Sequence, residues 1–219
     1  MQGSFDELYA LVGAVQLTPG NHPTRGFAEH VRGAPTRRHH GFDFGTCKRE
    51  VWTDDGTCVA DAESVHPPRA ASRAGRAIVA RRSVAAWLEA LPAGAPLLET
   101  MYPGYLLGTG DEIRDAMRLG VPLAVDVSHV FIQLRAGVMD EATWRSLERY
   151  DRVEEVHVSA NDGTRDAHAP IGAATFGLAW AREKLRAGVP VVLECYMHRL
   201  GAAERRRQID WMLGEGGVA

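Results

Sequence analysis

The chain has 219 residues, enough for one α/β barrel, and 45% of them are apolar, which makes disorder a poor account of it. A formal net charge of −3 argues against a protein whose main task is to grip nucleic acid. No apolar run approaches the roughly 18 residues of a membrane span.

The N-terminus, Met-Gln-Gly-Ser-Phe-Asp-Glu, has neither a basic nor an apolar leader segment, so a soluble, cytoplasmic protein is expected. Cys47, Cys58 and Cys195 are sparse and odd in number, which suits reduced thiols rather than a disulfide framework. With no internal repeat and no low-complexity linker, residues 1–219 read as a single domain.

Leu11 to Leu17 is apolar and stops at Thr18-Pro19-Gly20, a strand followed by a turn. Residues 24–32 suit a short helix ending at Gly33, and residues 39–44 suit a strand dense in histidine. Residues 59–66 form a segment ended by Pro67-Pro68. Val84, Trp87, Leu88 and Leu91 mark an amphipathic helix with Ser83 as its N-cap; a start further back, at Ile78 and Val79, stays open. The basic runs at 69–82 and 205–207 read as solvated helix faces.

Alternation then becomes regular. Strands are expected at 96–100, 121–127, 153–158 and 189–194, and helices at 111–119, 140–150, 175–187 and 202–213. Strands alternating with helices of this length form parallel βαβ units. With about seven strands, the expected fold is α/β: a (β/α) barrel of the TIM type, shortened or irregular at its N-terminal start.

Catalytic groups of such barrels stand at the C-terminal ends of the strands. His66, Glu99, Asp126 (with His129 just beyond), His157 and Glu194 each fall at an expected strand end, and Asp166 and His168 follow on the loop after His157. Separations of 33, 27, 31 and 37 residues between His66, Glu99, Asp126, His157 and Glu194 each fit one βα unit. Neutral imidazoles and ionised carboxylates together are what divalent cations select. Glu99 and Glu194 emerge from buried strands, where an unpaired carboxylate is costly and a cation is expected. Any one of these residues alone is an ordinary loop side chain; the set is not. His22, His30, His39 and His198 read as surface or loop histidines, with His40 kept in reserve as a ligand.

Leu98-Glu99-Thr100, Asp126-Val-Ser-His129-Val-Phe, His157-Val-Ser-Ala-Asn-Asp-Gly, Asp166-Ala-His168-Ala-Pro-Ile-Gly172 and Val192-Leu193-Glu194 together resemble the xylose isomerase-like TIM-barrel superfamily, over roughly residues 59–213. That group includes sugar isomerases and epimerases and the endonuclease IV type. The resemblance implies a metal site at the barrel mouth holding one to three divalent ions (Mn, Fe, Zn or Co). Glu99, Asp126, His157 and Glu194 match the ligands of single-metal members. His66, His129, Asp166 and His168 match the additional ligands of members with several ions. A second early histidine has no assigned place, which leaves a third ion open.

Three chemistries follow. The first is isomerisation or epimerisation of a small polyol or hydroxycarbonyl compound through a metal-stabilised enediolate, with Glu194, Glu99 and His129 as catalytic groups. The second is oxidation by a multinuclear non-haem iron site of a small metabolite, or of a peptide presented by a partner protein. The third, phosphodiester hydrolysis, suits the ligands but not the charge balance or the short early loops. A metal-binding scaffold without activity is the bland alternative.

Overall fold

The computed structural model describes residues 8, 11–18, 29, 32–40 and 51–214. Its frame is seven parallel strands: β1 (Val15–Leu17), β2 (Thr36–His40), β3 (Ser64–Val65), β4 (Leu97–Glu99), β5 (Leu123–Asp126), β6 (Val153–Val158) and β7 (Val191–Leu193). Each pairs with the next in chain order, so sequence order is spatial order. The sheet curls into a nearly closed barrel: Arg37 on β2 and Ser64 on β3 both reach Glu155 on β6. Such contacts between non-adjacent strands require their inner faces to meet.

Seven helices lie among the described residues: α1 (Arg73–Arg81), α2 (Val84–Glu89), α3 (Gly110–Arg118), α4 (Val127–Arg135), α5 (Glu141–Glu148), α6 (Leu178–Arg186) and α7 (Ala202–Leu213). Ser72, Ser83, Thr109, Asp126 and Asp140 each cap a helix start by accepting from a backbone N–H one or two residues inside it. Among the described residues no helix is long and apolar enough to cross a membrane. Cys58 and Cys195 are free thiols; Cys47 lies outside the described residues.

Side chains alternate between the two faces of a strand, and here the alternation separates two chemistries. Val65, Leu98, Leu123, Val125, Val156 and Val158 point outward and pack with Ile78, Trp87, Ile113, Leu147 and Leu178 of the helices into one apolar core. The intervening residues Ser64, Glu99, Asp126, Glu155 and His157 point inward and are buried as well. The apolar layer between sheet and helices holds the fold together, which leaves part of the barrel's interior free to be polar.

Several expectations need correction. Residues 127–135 form a helix, α4, that the sequence reading passed over. Asp126 ends β5 and caps α4 at once, so no turn residue marks the change. Ile78 and Val79 belong to α1, a separate helix, and α2 begins at Val84 under its Ser83 cap. The histidine-dense strand is residues 36–40, earlier than expected, and residues 41–44 lie outside the described ones. Strand pairing at 59–66 is confined to Ser64–Val65, and at 11–17 to Val15–Leu17. The expected helix at 24–32 lies mostly outside the described residues.

Candidate metal centre

The strand ends converge. His66 follows β3, Glu99 and Asp126 end β4 and β5, His157 is the penultimate residue of β6, and Glu194 follows β7. Glu99 is the hub: its Oε2 lies 3.2 Å from His39 Nε2, 3.1 Å from His66 Nε2 and 3.5 Å from His157 Nδ1, and its Oε1 lies 3.0 Å from His129 Nδ1. His157 Nδ1 is also 3.2 Å from Glu194 Oε1. On the far side, His129 Nε2 lies 3.5 Å from Asp126 Oδ2 and 3.4 Å from Asp166 Oδ2, which is itself 3.0 Å from His168 Nε2. All eight expected ligands therefore belong to one cluster.

A further member was misread. His39, taken for a surface or loop histidine, is buried and joins His66 and Glu99 in a group whose donor atoms lie within 4.8 Å of one another. The cause is strand parity: β2 reads Thr-Arg-Arg-His-His, and residues 37 and 39 share the inner face. His40, the histidine held in reserve, is on the other face and joins none of the ligand groups. His198 is exposed beside Tyr196; His22 and His30 lie outside the described residues.

The donor atoms meet without hydrogen-bond geometry. Both oxygens of Glu99, Asp126 Oδ2, His129 Nε2, His157 Nδ1, Asp166 Oδ1 and His168 Nδ1 are buried and have no hydrogen-bond partner. Buried polar groups are normally satisfied. Lone pairs that crowd together at 3.0–3.5 Å instead of aligning on protons are what a set of metal ligands looks like. Among the described residues no Lys or Arg forms an ion pair with Glu99, Asp126, Asp166 or Glu194; every ion-pair partner is a histidine.

Protonation follows from this crowding. Burial raises the Asp126 carboxyl to about 6, against the pull of His129. Burial would lower the His157 and His129 imidazoles, but the facing carboxylates outweigh it and hold both well above the ordinary value. His39 has burial as its dominant influence and falls to about 3. The carboxylates thus draw positive charge to the strand ends, a role divalent cations would take on binding.

Support from beneath was not anticipated. Glu155, fully buried one pleat below His157, bonds with His157 Nε2 at 2.7 Å, Ser64 Oγ at 2.6 Å and Arg37 Nε at 2.6 Å. Its place in the sequence, two residues before His157, is the signal that could have found it. Thr100 holds the other side: its Oγ1 accepts from Asp126 N at 3.0 Å, and its carbonyl lies 3.0 Å from His129 Nδ1. Tyr105, Tyr102 and Tyr196 pack their rings against His66, His129 and His168. His168 adopts a left-handed backbone at φ 44°, a strained position for a non-glycine residue that the surrounding loop has to hold.

The sequence matches no protein-family model and no curated protein. Fold and site together define a class: a parallel (β/α) barrel whose C-terminal mouth carries a buried histidine and carboxylate cluster with the donor chemistry of a divalent-metal centre.

Proposed function

We propose that this barrel is a metal-dependent enzyme with a polynuclear centre, acting on a small, oxygen-rich substrate. The observation that carries the reading is Glu99: a buried carboxylate within 3.5 Å of four imidazoles and, among the described residues, paired with no Lys or Arg. His39, His66 and Glu99 would hold one ion, and Asp126, His157 and Glu194, with Glu99 between the two groups, a second. His129, Asp166 and His168 would hold a third. Bound ions of this kind polarise substrate oxygen, acidify a coordinated hydroxyl or, if redox-active, exchange electrons.

The chain's own residues supply the rest. Glu194, Asp166 and His168 are the most exposed members of the cluster, with side chains 15%, 17% and 23% exposed, and the substrate would enter on their side. Glu194 is placed there to take or return a proton. Tyr102, half-buried over the His129 ring and with its hydroxyl pushed up to about 12 by burial first, stays a hydrogen-bond donor at neutral pH. Glu99 and His129, buried deeper, act by orienting the ions.

Isomerisation or epimerisation of a polyol or hydroxycarbonyl compound needs only Glu99, Asp126, His157 and Glu194, the likeness to xylose isomerase-type barrels on which that reading rests. The place of His39 favours the second reading, oxidation by a multinuclear non-haem iron centre, because it completes a separate ion pocket that a single-metal isomerase has no use for. Elemental analysis of protein purified without chelator decides between them. Two or three irons per chain support oxidation; one manganese, magnesium or cobalt supports isomerisation; two or three zincs point to phosphodiester hydrolysis. Protein that neither carries nor takes up divalent metal overturns the reading altogether.

A further inference from the structure

We infer that Glu155 is a positioning residue that fixes which ring nitrogen His157 and His39 turn toward the ligand cluster, and so braces two of the three ion pockets from below. This rests on the polynuclear reading above.

The hydrogen bonds leave Glu155 no other role. Its Oε1 accepts from His157 Nε2 at 2.7 Å and from Ser64 Oγ at 2.6 Å. Its Oε2 accepts from Arg37 Nε and Nη2, both at 2.6 Å. A carboxylate offers about four lone-pair sites, and all are taken. Glu155 therefore has none left for an ion, although an oxygen of it lies within 4.8 Å of donor atoms of His39 and His157. The paired guanidinium contact locks it in orientation.

Proton directions then follow along the chain of contacts. The 2.7 Å contact assigns the His157 Nε2 hydrogen to Glu155 over the 3.4 Å contact with the Gln16 amide nitrogen, so in the neutral ring the lone pair is on Nδ1, the atom facing Glu99 and Glu194 at 3.5 and 3.2 Å. Ser64 gives its only hydrogen to Glu155 and must accept from His39 Nδ1, 3.0 Å away. That leaves the His39 lone pair on Nε2, the atom 3.2 Å from Glu99. The two histidines thus present opposite nitrogens, and one buried carboxylate sets both. The partner of one imidazole nitrogen decides which tautomer the other offers to a metal. His129 is outside this arrangement, since its Nδ1 faces the Thr100 carbonyl at 3.0 Å.

The test compares Glu155→Gln and Ser64→Ala with the parent protein. Each is stripped of metal and titrated with Zn²⁺, Mn²⁺ or Fe²⁺ against a chromophoric chelator. The metal-free proteins are also examined at alkaline pH by ¹⁵N NMR of the histidine rings. Glu155→Gln should weaken two ions by about 10- to 100-fold and spare the third. Ser64→Ala, a milder change, should weaken one ion only. The NMR should place the parent's protons on His157 Nε2 and His39 Nδ1, with mixed tautomers appearing in the variants. Unchanged affinities and unchanged tautomers overturn the inference, as does uniform loss of all three ions. If the parent binds no metal while its tautomers are as stated, the polynuclear reading fails and the brace stands.

Discussion

Asp126 and His129 are joined twice. Asp126 Oδ1 accepts from the backbone N–H groups of Ser128 and His129, at 2.6 and 3.1 Å, and caps α4; Asp126 Oδ2 faces the His129 ring, 3.5 Å from Nε2. One carboxylate thus starts a helix and aims the histidine on its first turn into the cluster.

The two roles separate by mutation. Asn caps helices as well as Asp does, so Asp126→Asn should keep α4 while losing the charge an ion needs. The folded carboxyl sits near 6, above its ordinary 3.8. The folded form therefore holds its proton to higher pH, and in metal-free protein the stability tied to this group is present below about pH 4 and lost as pH rises through 6. Metal-free Asp126→Asn should lack that loss and equal or exceed the parent at pH 7 in urea unfolding, yet bind metal poorly. Asp126→Ala should lose the cap too, at about 1 kcal/mol. A metal-free Asp126→Asn protein markedly less stable than the parent at pH 7 would contradict the burial argument.

Adjacent histidines should behave differently. His39→Ala removes a ligand and should lower the metal content by one ion per chain. His40→Ala, on the opposite strand face, should leave metal content unchanged whatever it does to stability. Equal metal loss in both variants would mean that β2 is turned the other way in solution.

Gly177 precedes α6 with a φ of 71°, and a Cβ there would stand 2.7 Å from Val127 Cβ on the first turn of α4. Left-handed backbone costs a side chain about 1–2 kcal/mol, and overpacking adds about 1–3 kcal/mol. Gly177→Ala should therefore destabilise by about 2–5 kcal/mol in chemical unfolding. Because Val127 adjoins Asp126, metal affinity should fall with it.

Cys195 follows Glu194 in the chain but is buried, with burial pushing its thiol up to about 12. The thiolate is the reactive form, so mass spectrometry should find Cys195 unlabelled by iodoacetamide at pH 8 until the protein is unfolded. Rapid labelling of native protein would show that the chain around Glu194 opens readily.

From β4 onward the barrel was legible because Leu97–Glu99 and Val191–Leu193 are short, mostly apolar runs, and Val153–Val158 a valine-rich one, between clear helical stretches. The clustering of the strand-end residues was legible because barrel geometry brings strand ends together, and seven strands are present among the described residues. The remainder stayed hidden for two physical reasons. Asp126 is at once the last residue of β5 and the cap of α4, so no turn residue separates strand from helix. In β2 an inner face of Arg37 and His39 carries no hydrophobic signature, and the reach of Arg37 and Ser64 to Glu155 spans 118 and 91 residues of sequence. Such partners are set by barrel closure, which no local pattern encodes.

The passage from β5 into α4 without an intervening residue has a consequence for how this barrel can diversify. An insertion at that junction would part the cap from its helix and disturb Asp126 and His129 together. The exposed positions Pro103 and Gly104 after β4, and Asp162, Thr164 and Arg165 after β6, can change while the junction and the cluster residues Asp166 and His168 stay fixed. Variation in what the site accepts should therefore collect at those exposed positions, and a designer seeking a new specificity should randomise them first and leave residues 123–130, Asp166 and His168 untouched.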